Sequence, residues 1–256
     1  MNEFIVIVES SADARTATKL AERVLANKID WLEPEMLQHL FVWSGLEENT
    51  EHSCWKDIKS IIERAKESDI RIPKFLGGRK NGATKADGAA TRKILNLVSS
   101  LQKKRQIKGV IFIRDLDNQP ERKEGIEGAR SEYSDRQPQL AIVIGTANRM
   151  REAWVLNGFV TANKLEKQTL EEIKTKLTFD PCEESHRLHS KKEEAERLKN
   201  AKVVLQKLTD GDFERERICW EETSLELLKT RGVSTGLTDY LNEIEERLVP
   251  IIRRDR

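Results

Sequence analysis

Five acidic residues fall where apolar runs end. Glu9 follows Phe4-Ile5-Val6-Ile7-Val8, and Asp13 stands four residues further on. Asp115 and Asp117 follow Val110-Ile111-Phe112-Ile113-Arg114, and Glu152 comes after residues 140–144 and the stretch Gly145-Thr146-Ala147-Asn148. Hard oxygen ligands with no paired His or Cys suit a divalent Mg2+ or Mn2+ ion rather than zinc. Two apart on an extended stretch, Asp115 and Asp117 would point the same way and share such an ion. Glu9 and Asp13 would lie on one helical face if a helix has begun by residue 9. An isolated Asp-x-Asp after a strand is more often a turn that caps the next element. Convergence of three separate segments favours a site, because bunched carboxylates repel one another unless a cation stands among them.

Such convergence needs strands to deliver the acids to one edge. Apolar runs at residues 4–8, 40–43, 70–76, 110–113 and 140–144 read as strands, with Pro73 confining the third to a sheet edge. Helical periodicity covers 12–26, 55–65 and 87–104, the last with Asp87 as its N-cap. This alternation predicts an α/β fold with a mostly parallel sheet flanked by helices, whose ligands bind at the carboxyl ends of the strands. After about residue 160 only helical patterns remain, at 164–177, 191–208, 225–231 and 237–248. The expected organisation is an α/β domain over 1–160 and a helical C-terminal portion over 161–256, packed on the sheet rather than set apart.

The 256 residues carry 45 Lys+Arg against 44 Asp+Glu, a formal charge of +1. That balance argues against a protein that coats nucleic acid through bulk charge but leaves room for a local basic groove. No apolar run approaches the roughly 20 residues of a membrane-spanning helix, and the first apolar stretch is too short for a signal peptide. Three widely spaced cysteines argue against a disulfide framework and for a reducing cytoplasm. In the loop Gly77–Lys85, Arg79, Lys80 and Lys85 are candidates to grip a phosphate backbone, and Ala83 stands where a P-loop requires lysine. Arg114, Arg122 and Arg151 adjoin the acidic positions and are candidate phosphate contacts. Cys182, His186 and His189 supply only three zinc-type ligands with no partner pair nearby, too few for a structural zinc site.

Glu9-Ser10-Ser11-Ala12-Asp13 after one apolar strand and Asp115-Leu116-Asp117 after another resemble the Toprim domain. The Glu-x-x-x-Asp form is most similar to the nuclease branch named for overcoming lysogenization defect (OLD). Ser10 stands where Toprim proteins often carry glycine. Arg151-Glu152-Ala153-Trp154 resembles a late motif of small stand-alone Toprim-like proteins, several of them associated with phage defence. Over residues 1–160 the resemblance implies a Toprim-like, Rossmann-like sheet and Mg2+- or Mn2+-dependent hydrolysis of phosphodiester bonds. It implies Asp115 and Asp117 as metal ligands, Glu9 as a further ligand or general base, and Asp13 and Glu152 at a second metal position. The implied substrate is nucleic acid, DNA ahead of RNA, with a partner protein or a second copy of the chain as companion and no membrane. Nucleotidyl transfer on the same metals, a non-catalytic Toprim-like binding subunit, and a phosphatase using Asp115 as nucleophile are the competing readings.

Overall fold

The computed structural model describes residues 1–73, 85–189 and 194–254. The chain runs β1 (Asn2–Val8), α1 (Ser11–Lys28), α2 (Leu37–Leu40), β2 (Phe41–Ser44), β3 (Ser53–Cys54), α3 (Ile58–Glu67), α4 (Gly88–Leu101), β4 (Ile107–Asp115), α5 (Glu121–Ser134), β5 (Ala141–Ala147) and α6 (Arg151–Asn157). There follow α7 (Lys164–Leu177), α8 (Ala201–Leu208), α9 (Phe213–Glu221), α10 (Leu225–Arg231), α11 (Leu237–Arg247) and α12 (Val249–Arg254). No described helix is long and apolar enough to cross a membrane.

The sheet is α/β and parallel throughout, in the order β2-β1-β4-β5, with β3 beside the end of β1. Its central strands are buried on both faces, which is why they read as unbroken apolar runs. Phe4, Val6 and Val8 join Ile111, Ile113, Val143 and Ala147 on the face covered by α1 and the C-terminal helices. Ile5 and Ile7 join Val110, Phe112, Ile142 and Ile144 on the face covered by α3, α4 and α5. From β1 the chain moves outward to β2, then returns past β1 to place β4 on its other side. The switch point of this α/β sheet therefore lies between β1 and β4, the place where such sheets bind their ligands, and the strand ends there are called the crevice below.

Three sequence expectations change. Residues 70–73 form no strand, as Pro73 forewarned, and the rest of that predicted run lies outside the described residues. The helix expected over 191–208 is interrupted. A 3-10 segment, Glu194–Lys199, precedes α8, whose cap Asn200 accepts from the Lys202 amide. Asp87 precedes α4 but makes no side-chain cap; it adopts φ 62° and turns its carboxylate to Arg114 instead.

The C-terminal helices share one core with the sheet. Tyr240 of α11 is fully buried, stacks on Trp154 at 5.2 Å and donates its hydroxyl to the Ala17 carbonyl in α1 at 2.8 Å. The Thr235 carbonyl accepts from both the Trp154 indole and the Asn148 amide, each at 2.8 Å, bracing the end of β5. Gly236 makes this approach sterically feasible: its φ is 81°, and a Cβ there would stand 2.1 Å from the Thr146 carbonyl oxygen. Gly236→Ala should cost more than about 2 kcal/mol through backbone strain and overpacking, seen as a lower urea midpoint. Gly128→Ala, in open space within α5, should instead gain about 0.5–1 kcal/mol. Equal midpoints for the two variants would refute this account of the β5 brace.

Candidate metal centre at the end of strands β1 and β4

Register brings the first two acids together. Ile7 lies beside Phe112, so Glu9, one residue past β1, reaches the end of β4. Its Oε1 accepts from the Asp115 amide at 3.2 Å and from Arg114 Nη1 at 2.9 Å. Asp115 closes β4, and its Oδ1 accepts from the Arg151 amide at 2.9 Å, at the start of α6. Asp13 lies in the first turn of α1, only 6% exposed, and its Oδ2 accepts from Ser10 Oγ at 2.6 Å. Arg151 bridges the rest: Nε is 3.9 Å from Asp13 Oδ1, and Nη2 is 3.7 Å from Glu152 Oε1 and 2.8 Å from Glu216 Oε1.

The five predicted acids therefore lie near one another around Asp115 at one sheet edge, although two local arguments for them do not hold. Helix α1 starts only at Ser11 after an extended Ser10, so Glu9 and Asp13 do not share a helical face. Nor do Asp115 and Asp117 lie on one extended stretch. Asp117 adopts φ 46° and Asn118 φ 63°, and the Asp117 carboxylate goes to Arg122 Nη1 at 3.2 Å. Arg149, at φ 77°, accepts the Asp117 amide through its carbonyl. Left-handed geometry suits Asp and Asn but costs roughly 1–2 kcal/mol at an arginine, so strain is concentrated at this edge.

Negative charge predominates here. Glu9, Asp13, Asp87, Asp115, Asp117, Glu152 and Glu216 face three guanidinium groups, those of Arg114, Arg122 and Arg151. Burial drives the Asp115 carboxyl well above the ordinary aspartate range, and the charges of Asp13, Glu9, Glu152 and Asp117 push it further. Burial also raises Glu9, against the pull of Arg114 and the Asp115 amide. Burial alone would lower Arg151, but Glu152, Glu216 and Asp13 hold its proton more tightly than usual. The donors are all oxygen and their charge exceeds that of their partners, which fits a hard divalent cation. As the side chains stand, no three acidic, imidazole or thiol groups among the described residues are placed to hold one ion.

The basic candidates divide. Arg114 is held between Glu9 and Asp87 and lies 5.3 Å over the Trp55 ring, while Arg122 donates to the Asp115 carbonyl at 2.7 Å. Arg151 is only 8% exposed and donates to Thr16 Oγ1 at 3.0 Å, so it belongs to the framework rather than to an open phosphate-binding surface. Lys85 pairs with Glu124, and Arg79 and Lys80 lie outside the described residues. Asp87 and Glu216 were missed by the sequence reading. Asp87-Gly88 carried the signal of a turn, but nothing in the sequence linked Glu216 to Arg151. Burial raises the Cys182 thiol. A cavity of about 690 Å3 lies between α1 and β2, lined by Arg15, Glu22, Phe41 and Trp43, and does not include the carboxylates.

A carboxyl whose folded pKa is raised is protonated more readily in the folded protein, so its contribution to stability falls as pH rises from the ordinary aspartate value. Asp115→Asn, which keeps an acceptor for the Arg151 amide, should therefore stabilise the metal-free protein at neutral pH by roughly 1 kcal/mol or more. The advantage should shrink as pH falls toward about 4, near the unfolded aspartate pKa. Urea midpoints at the two pH values measure it, and an advantage that is unchanged or larger at low pH would contradict the charge account. Comparison of the chain with protein-family models, curated proteins and solved structures finds no match, and the functional reading rests on the geometry of the crevice.

Proposed function

We propose that the carboxylate crevice binds Mg2+ or Mn2+ and that the protein is a Toprim-like nuclease, or the nuclease subunit of an assembly, acting on phosphodiester bonds. The observation that carries this reading is the surplus of acids at the β1/β4 switch point, with Asp115 pushed toward protonation by burial and, beyond that, by four neighbouring carboxylates. A buried structural ion-pair network would balance its charges; this one leaves a negative excess for a cation to satisfy. Glu9, Asp115 and Asp117 would hold the ion, with Asp13 and Glu152 available for a second. A bound divalent ion supplies Lewis-acid stabilisation of a phosphate oxygen and a more acidic water.

The chain's own residues account for the remaining roles. Glu9, whose carboxyl burial raises above the usual range, stands beside Asp115 at the strand end and would serve as the base for an attacking water. Arg114 and Arg122, which pair with Glu9 and Asp117, would be available to phosphate oxygens if those carboxylates held a cation. Arg151 acts as a positioning residue, tying α1, α6 and α9 behind the acids. DNA is the first substrate to test. A cytoplasmic setting and a role in phage defence belong to the same proposal.

Purified protein should nick or degrade nucleic acid with Mg2+ or Mn2+ and not with EDTA. Glu9→Gln and Asp115→Asn should each lose more than about 100-fold in rate while remaining folded. Saturating Mn2+ should raise the wild-type melting temperature, worth about 2.7 kcal/mol at 100-fold above the dissociation constant, and leave Asp115→Asn nearly unmoved. Full cleavage by both variants would sink the catalytic assignment. Metal stabilisation without cleavage would favour a non-catalytic binding subunit.

A further inference from the structure

Beside the acidic crevice, α9 presents a surface whose chemistry differs from the rest of the edge. Phe213 opens α9 and is 44% exposed, the aromatic side chain among the exposed large apolar residues of the described chain. It is fixed on three sides. The Asp212 carboxylate caps the helix by accepting from the Glu214 amide at 2.8 Å. The buried Trp220 meets the Phe213 ring edge-on at 6.2 Å. The exposed guanidinium of Arg15 lies 5.2 Å over the ring.

The same elements carry the acids. Arg15 shares α1 with Asp13 but points to the solvent side of the helix, so the link to the acids runs through α9 and Trp220. Glu216, one turn or about 4.5 Å along α9 from Phe213, holds Arg151, whose guanidinium lies 5.8 Å over Trp220 and 3.9 Å from Asp13. On the crevice side, the exposed Lys202 ammonium is 3.9 Å from Glu152. A rigid exposed ring with a cation stacked against it, next to a phosphate-directed site, suits the face of an unpaired base. A paired base offers no free face to such a ring, because its faces are stacked within the duplex.

We infer that Phe213 and Arg15 form a stacking platform for an unpaired base, so that the crevice receives single-stranded nucleic acid rather than intact duplex. The inference rests on the reading of the crevice as a nucleic-acid site. Lys202 lies where it can meet the backbone of the same strand.

The test measures binding without turnover, with Ca2+ in place of Mg2+ and again in EDTA, using a short fluorescent oligodeoxyadenylate and the same sequence as duplex. Wild type should prefer the single strand. Phe213→Ala should weaken single-strand binding by roughly 5- to 150-fold, the size of one base–aromatic stack, with little change for duplex. Phe213→Leu keeps apolar packing on Trp220 but lacks the π-face and should show the same loss. Phe213→Trp should retain affinity and add fluorescence quenching when the oligonucleotide binds. Single-strand affinity unchanged in both the Ala and Leu variants overturns the platform. If wild type shows no metal-dependent cleavage but its single-strand affinity depends on Phe213, the platform stands and the nuclease reading falls. If wild type cleaves and both variants cleave with unaltered KM, the platform falls and the nuclease reading stands.

Discussion

Like charges held close together beneath the surface are the condition around which this molecule is arranged. Placing an ionised carboxylate in a protein interior costs several kcal/mol even after relaxation. Here Asp115 stands among four other acids at the end of β4. The opposing term is apolar. Each fully buried Val, Ile or Phe contributes roughly 1.5–3 kcal/mol, and β1, β4 and β5 bury such residues on both faces in succession. The strands outweigh the repulsion by number, and their register then fixes the acids where they repel. Three arginines soften the repulsion without cancelling it, leaving an edge whose charge a metal ion would complete.

Much of this could be read in the sequence, and for one reason. A parallel strand buried on both faces appears as a continuous apolar run, so β1, β4 and β5 and the acids at their ends were visible as linear features. The helices at 164–177 and 225–231 were equally plain from their periodicity. What escaped depended on tertiary detail. Nothing in the one-dimensional pattern distinguishes an Asp that caps a helix from one that turns aside to an arginine, as Asp87 does toward Arg114. Nor does spacing reveal that Glu216 reaches Arg151 across 65 positions. Local rules proposed that Glu9 and Asp13 share a helical face and that Asp115 and Asp117 lie on a flat strand. In each case an extended or left-handed residue intervened, yet the acids met by another route.

The arginines also have unequal parts. Arg151 is enclosed by Thr16, Glu216 and Trp220 and links three helices, so its charge is fixed in the framework. Arg114 and Arg122 hold to carboxylates at the mouth of the crevice, with Trp55 beneath the first. Trp55 is itself anchored by its indole N–H on the Ile113 carbonyl at 2.8 Å, so the ring under Arg114 is fixed to the strand that carries Asp115.

The bond between Tyr240 and Ala17 has a temporal consequence. One face of β1, β4 and β5 is covered by residues that the ribosome adds long after β5, chief among them α11. Until those residues emerge, α1 is the cover on that side, and the end of β5 lacks the brace that Thr235 supplies. The sheet face that carries the end of β5 is therefore completed by the last part of the chain to be made, a part with no acidic motif of its own.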